Sequence, residues 1–311
     1  MKPTLVQHLA VVAVLVLDAI ARGLRFRALV PMPLARAIGV NLCGDALGSL
    51  TPAQLGADPV RFAAVHGSGG APASAVLAAF VTEFSMSVVA TAAGAVVLSG
   101  LFAGAAAGFA HRLALLVAPS SALRVLVFVV LPTGASAALA VRLRHRLPPA
   151  LVRHLRDVWV AVWRRPPSLV AGVAFLTLVS LASRTAVLPI LAAGIPGVKA
   201  GVLILGSYLL LLGQAVLPTP AGAGGVELGF LAGFSGSLPG GTAGQLLVLW
   251  RFYTFLLALM VGALLLLRAD WLQRVQLGLG ALVKRKRQSP DAQEMSTRQP
   301  AADARSRHRA S

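Results

Sequence analysis

The chain has 311 residues, of which 57% are hydrophobic and only 12% charged, with a formal net charge of +18 and a mean hydropathy of +0.80. Soluble domains carry roughly 25% charged residues, so half that share excludes a soluble globule of this size. The basic surplus excludes a nucleic-acid module too, because lysines and arginines fall between and after the apolar runs, as in a polytopic membrane protein whose cytoplasmic loops meet anionic lipid.

The first apolar run covers residues 5–21 and continues through Asp18 to Arg22 with no small-residue cleavage site, so it reads as a retained membrane helix. Arg22, Arg25, Arg27 and Arg36 then mark a cytoplasmic loop. Asp18 stands four residues before Arg22, which fits either an ion pair along the helix or the lining of a polar path. Residues 34–50 are a weaker apolar segment interrupted by Asn41, Asp45 and Gly48, with Cys43 as a small buried apolar residue. The segment breaks at Leu50-Thr-Pro-Ala-Gln-Leu-Gly-Ala-Asp-Pro-Val-Arg61.

A long apolar run over residues 71–98 carries Glu83, and an Ala- and Gly-rich piece leads from it to His111 and Arg112. Residues 120–141 read as a span kinked at Pro132. Arg142, Arg144, Arg146, Arg153, Arg156, Arg164 and Arg165 follow against the single acid Asp157, the most strongly cytoplasmic loop in the chain. Its Trp159 and Trp163, set among apolar residues, predict an amphipathic helix at the membrane interface.

Spans over residues 168–191, with Arg184 inside, and 201–217 lead into a second break, Leu217-Pro-Thr-Pro-Ala-Gly-Ala-Gly-Gly-Val-Glu227. Pro218 and Pro220 remove backbone donors and Gly222, Gly224 and Gly225 release the φ constraint, so no continuous helix crosses it. A short apolar piece over residues 228–234 and a last span over residues 245–267, with Arg251 and Tyr253, complete the membrane part. The organisation expected is an integral membrane domain over residues 1–283 and a disordered, basic, cytoplasmic tail over residues 284–311.

The two breaks share a pattern. Thr51, Pro52, Gly56 and Asp58 in the first match Thr219, Pro220, Gly224 and Glu227 in the second, the acid arriving one residue later. If the Arg-rich loop and the tail are both cytoplasmic, the crossings between them must be even in number, and a second break that enters and returns to the same face satisfies this. The first break would then open from the inside. The fold class expected is an all-α polytopic membrane bundle with two re-entrant broken-helix hairpins related as an inverted repeat, which builds a site near the midplane. Irregular backbone at that depth survives only around protein or a wet cavity.

A re-entrant half-helix starts with unpaired N–H groups and a partial positive charge, suited to a phosphate. Arg61, Arg184 and Arg251, with Asp58, Glu83 and Glu227, stand in or beside apolar segments and are costly there unless paired or facing water. Either they line a polar interior for a lipid head group, or they pair with one another to hold the bundle. The histidines show no helical metal spacing with a carboxylate, and no phosphate loop with its lysine is present, so neither a cofactor nor an ATP-driven or metal-dependent enzyme is expected.

These motifs resemble the lysylphosphatidylglycerol synthase transmembrane family, also called flippase-like membrane proteins. The second break is similar to that family's Pro-Ser/Thr-Pro-Gly-Gly-x-Gly-x-x-Glu signature, and the first to its Pro-Gly-x-x-Gly-Glu signature followed by Arg. Arg251 and Tyr253 match the Arg and aromatic of its last helix, and Glu83 falls where a carboxylate follows the first motif. Ala53 and Ala221 replace the usual glycine after proline, Asp58 replaces Glu, and the amino-terminal end is about one helix short of the pattern.

The resemblance covers residues 18–267 and implies a lipid translocase-like domain of the inner (plasma) membrane. Members fused to a soluble aminoacyl-transferase domain modify phosphatidylglycerol and flip the product; this sequence ends in a tail instead, so synthase activity is not carried over. The expected partners are membrane lipids, anionic or aminoacylated phospholipids above all, with no nucleic acid, and a membrane-protein partner or a second copy of the chain beside them. The substrate-binding set is Thr51, Pro52, Gly56, Asp58, Arg61, Glu83, Thr219, Pro220, Gly222, Gly224, Glu227 and Arg251. The competing reading is a non-transporting subunit that scaffolds or supplies lipid to a separately encoded enzyme.

Overall fold

The computed structural model describes residues 3–52, 54–66, 71–116, 149–234, 236–239 and 241–268. The expected span over residues 120–141 with Pro132, the arginines Arg142, Arg144 and Arg146, and the tail from Lys284 lie outside the described residues. The described part is all helical: α1 (Leu5–Leu29), α2 (Leu34–Leu50), α3 (Ala57–His66), α4 (Ala73–Leu101), α5 (Ala103–Leu116), α6 (Pro149–Trp163), α7 (Pro167–Leu191), α8 (Ala200–Val216), α9 (Gly225–Gly233), α10 (Thr242–Arg251) and α11 (Leu257–Leu267). A π-helical turn, Phe252–Leu256, joins α10 to α11 without a break.

Helix α1 opens with a capping box, in which the Thr4 hydroxyl accepts from Gln7 N and the Gln7 carboxamide accepts from Thr4 N. It then runs past the expected end at Ala21, to Leu29. Arg22, Arg25 and Arg27 are therefore helical residues and not the loop expected there. The physical reason is neutralisation: Arg22 pairs with Asp18 and Asp45, and Arg25 with Glu83, so these guanidiniums are held inside the bundle.

Among the described residues, three helical stretches are long and apolar enough to cross a membrane: Ala73–Leu101, Pro167–Leu191 and Thr242–Leu266. In α4 only 6% of the most apolar window is buried within the protein. Its exposed Phe84, Val88, Val89, Val96 and Val97 form an apolar face of the kind that lipid covers. The chain is membrane-embedded. Helix α6 has the expected character, with Trp159, Trp163, Arg153 and Arg156 all exposed, and it packs on α4.

Helix α1 lies antiparallel along α7. Gln7 donates to Ile190 O and Ala193 O at one end, Ser180 donates to Asp18 midway, and Arg25 donates to Thr177 at the other. Helix α2 packs against α1, α3 and α11. Two apolar cores result, one beside each break. Ala64 and Val65 of the short α3 pack with Phe26, Val40 and Val76 in one. Phe230 of the short α9 and Phe234 at its end pack with Leu188, Leu246 and Trp250 in the other. Cys43 is fully buried, as its small apolar character implies.

Helices α2 and α11 approach each other closely at Gly262. A Cβ there would collide with Leu42 O and come within 2.7 Å of Ala46 Cβ. Gly262→Ala should push the two helices apart and destabilise the protein by about 1–3 kcal/mol, read as a lower unfolding temperature in detergent. Gly100→Ala, on a helix with open space around it, should not lower that temperature.

Candidate functional site

Both breaks end a long helix and begin a short one that packs back on it: α2 with α3, and α8 with α9. They are built alike. Gln54 N donates to Thr51 O and Leu55 N to Pro52 O; at the same offsets, Gly222 N donates to Thr219 O and Ala223 N to Pro220 O. The third residue after each Thr has positive φ, +57° at Gln54 and +70° at Gly222. Each Thr hydroxyl closes its own turn: Thr51 accepts from Gly56 N at 2.7 Å, and Thr219 donates to Ala223 O at 3.0 Å.

The two turns meet, and an isolated antiparallel bridge pairs Pro52 with Pro220. Ala221 stands beside this junction at φ +49°, a left-handed conformation that costs a non-glycine residue about 1–2 kcal/mol. Its carbonyl accepts from Arg251 Nη1 at 2.9 Å. Arg251 also donates through Nε to Glu227 Oε1 at 2.6 Å, and the other Glu227 oxygen accepts from Gly224 N at 2.7 Å. Glu227 therefore serves the start of α9 itself, occupying with a side chain the position where an anion was expected.

Around the first break a second set of charges is linked. Glu83 accepts from Arg25 at 2.8 Å and also from Arg61, and Arg61 reaches Asp58 at 3.1 Å. The Arg61 guanidinium lies over the Phe26 and Phe80 rings, 4.6 and 5.0 Å from their centroids. Asp58 is the open end of this chain, with its side chain 61% exposed. Of the ionisable residues singled out from the sequence, Asp58, Arg61 and Glu83 are thus brought together, and so are Glu227 and Arg251.

Beside the Pro52–Pro220 junction is a cavity of about 220 Å³. Gln54 reaches it from the first break and Ala221 from the second. Asp18, Arg22, Asp45, Arg184, Gln214 and Thr254 supply polar groups, while Val12, Val16, Leu257 and Val261 supply apolar wall. Arg22 bridges two carboxylates, 3.1 Å from Asp18 and 2.5 Å from Asp45. Asp18 accepts in addition from Ser180 at 2.5 Å, so the ion pair and the lining position open to Asp18 in the sequence are both realised. Arg184 has no hydrogen-bond or ion-pair partner among the described residues.

The residues proposed from the sequence as substrate-binding do not themselves line this cavity; they form the two turns and the ion pairs that flank it. The polar lining residues assigned no functional role from the sequence are Asp45, Ser49, Gln54, Gln214 and Thr254. One signal was available: Asn41, Asp45 and Ser49 recur every four residues, which puts them on one face of α2, and Asp45 and Ser49 line the cavity. The π turn presents Tyr253 and Thr254 to the same space, and Tyr253 meets His8 Nδ1 at 2.8 Å.

This fold and site define a membrane-embedded helical protein organised on two paired helix breaks with an amphipathic cavity beside them. The chain matches the family described as Lysylphosphatidylglycerol synthase TM region over residues 3–262 and belongs to it. That membership ties the protein to lipid modification or translocation. No curated protein matches the chain.

Two substitutions test the junction. Arg251→Gln removes the guanidinium that Glu227 Oε1 and Ala221 O share and should cost about 2 kcal/mol, less than a fully buried pair because Glu227 is partly open to solvent and keeps its bond from Gly224 N. Ala221→Gly should gain up to about 1 kcal/mol, since relief of the positive φ exceeds the added freedom of the unfolded chain. Thermal unfolding in detergent reads both.

Proposed function

We propose that the protein moves a phospholipid or lipid-linked substrate between leaflets, with the head group passing through the cavity at the break junction while the acyl chains stay in lipid. The observation that carries this reading is the convergence of two like-built breaks on one space lined by both charged and apolar side chains. Such a space stabilises a charged head group that bare hydrocarbon would reject.

In this reading the two helix–break–helix units are re-entrant hairpins entering from opposite faces of the inner membrane as an inverted repeat, and the carboxy-terminal end is cytoplasmic. The matching hydrogen-bond offsets after Thr51 and Thr219 support the repeat. Glu227 and Arg251, with Asp58, Arg61 and Glu83, hold the turns in register at the edge of the path. The reading assigns no catalytic residue and no cofactor.

One observation favours a non-transporting subunit that scaffolds or supplies lipid to a separate enzyme: those charges are committed to each other. Reconstitution separates the two. Vesicles carrying the protein and a fluorescent phospholipid should expose that lipid to a membrane-impermeant reductant beyond the outer-leaflet share. Ala258→Trp, which fills the cavity from α11, should slow exchange by about tenfold or more, and Glu227→Ala and Arg61→Ala should slow it as well. Exchange equal to that of empty vesicles across a broad lipid panel would overturn the translocase reading.

A further inference from the structure

We propose that the cavity beside the Pro52–Pro220 junction is selective for a zwitterionic phospholipid head group, with the phosphate held by Arg184 and the ammonium by the carboxylate of Asp45. This rests on the reading that the cavity admits lipid, and it names the class of lipid.

The ionisable side chains of opposite sign on the wall are Asp18, Asp45, Arg22 and Arg184. Arg22 is shared by both carboxylates, so that triad carries one negative charge in excess. Arg184 carries one positive charge and has no partner among the described residues. The cavity is neutral as a whole, yet its two unsatisfied charges face the same space without meeting. An isolated charge at membrane depth is costly, and a ligand that satisfies both gains most.

Position supports the pairing. Ser180, which donates to Asp18, and Arg184 are four residues apart on α7 and therefore on one face, one turn apart. Asp18 is engaged by Ser180 and Arg22, whereas Asp45 meets Arg22 through Oδ2 and its side chain is 30% exposed. Asp45 is thus the carboxylate open to an ammonium. A planar guanidinium suits a phosphate diester, to which it donates two parallel hydrogen bonds.

Uncharged groups complete the fit. Gln54, Gln214, Thr254 and Ser49 stand around the charges, matched to glycerol and ester oxygens. Val12, Val16 and Val261 line the cavity and are exposed on the outside of the bundle, giving the acyl chains an apolar way out. A volume of about 220 Å³ holds a head group and not a whole lipid, since even drug-sized ligands take roughly 300–1,000 Å³. A purely anionic head group would satisfy Arg184 and leave the acidic triad unmatched.

The test is retention of phosphatidylethanolamine against phosphatidylglycerol by the purified full chain, measured by native mass spectrometry from micelles holding equal amounts of both. Wild type should retain phosphatidylethanolamine about tenfold better. Arg184→Gln should weaken retention of both lipids by about tenfold with no loss of unfolding temperature, because Arg184 supports no partner among the described residues. Asp45→Asn should abolish the preference and spare phosphatidylglycerol. The wild-type ratio and Arg184→Gln are decisive even where Asp45→Asn folds poorly. Equal retention of the two lipids by wild type, or retention by Arg184→Gln equal to wild type, would overturn the assignment. Selective retention without leaflet exchange would sink the translocase reading and leave this one standing; exchange by wild type that Arg184→Gln leaves unaltered would do the reverse.

Discussion

Where α2 and α8 end, the backbone leaves its helix and must find other partners, and in a membrane those partners have to come from the protein. The bridge between Pro52 and Pro220 brings the two exits together, and the backbone hydrogen bonds that follow Thr51 and Thr219 satisfy part of each irregular stretch from within. Most of what is unusual in the chain serves that junction. The threonine hydroxyls close the turns, and positive φ at Gln54, Ala221 and Gly222 bends them. The short helices α3 and α9 each sink into a separate apolar core. The cavity beside the junction is walled mostly by α1, α2, the π turn and α11, and Gln54 and Ala221 reach it from the two turns.

Charge is arranged around the junction in two ways. At the flanks carboxylate and guanidinium are matched: Glu83 serves Arg25 and Arg61, and Glu227 serves Arg251 and the first turn of α9. These contacts fix geometry, since removing one partner strands the other in a poorly solvated place. Inside the cavity the matching is incomplete, with Arg22 over-supplied with acid and Arg184 supplied with none among the described residues. Filled sites hold the frame, and the unfilled ones face the cavity.

Much of this was legible in the residues. Pro218, Pro220 and the glycines after them announced the second break, and the Thr-Pro repeat located the first. The pairing of Asp18 with Arg22 was one of two roles that their spacing allowed, and the apolar runs over residues 71–98 and 168–191 gave α4 and α7 nearly whole. The end of α1 was not legible, because Arg22 and Arg25 look like loop residues until Asp45 and Glu83, far along the chain, are known to meet them. The lining was hidden for the same reason. Gln54 sits in one turn, Gln214 near the end of α8 and Thr254 in a π turn, and nothing in the local pattern says that they share a wall. Ala221 is the reverse case: its departure from the family's glycine was visible, and the structure shows the positive φ that makes the departure matter.

The π turn at Phe252–Leu256 acts as a phase shifter. In an uninterrupted α-helix Arg251 and Gly262 would fall within about 20° of the same line, because eleven residues make three turns and a little more. The extra residue in the wide turn rotates α11 against α10 by roughly a quarter turn. One rod therefore addresses two clients on different bearings, Glu227 of the second break through Arg251 and α2 beside the first break through Gly262. The two turns are keyed to each other through a single helix, so a change in the winding of that helix would be felt at both ends of the junction at once.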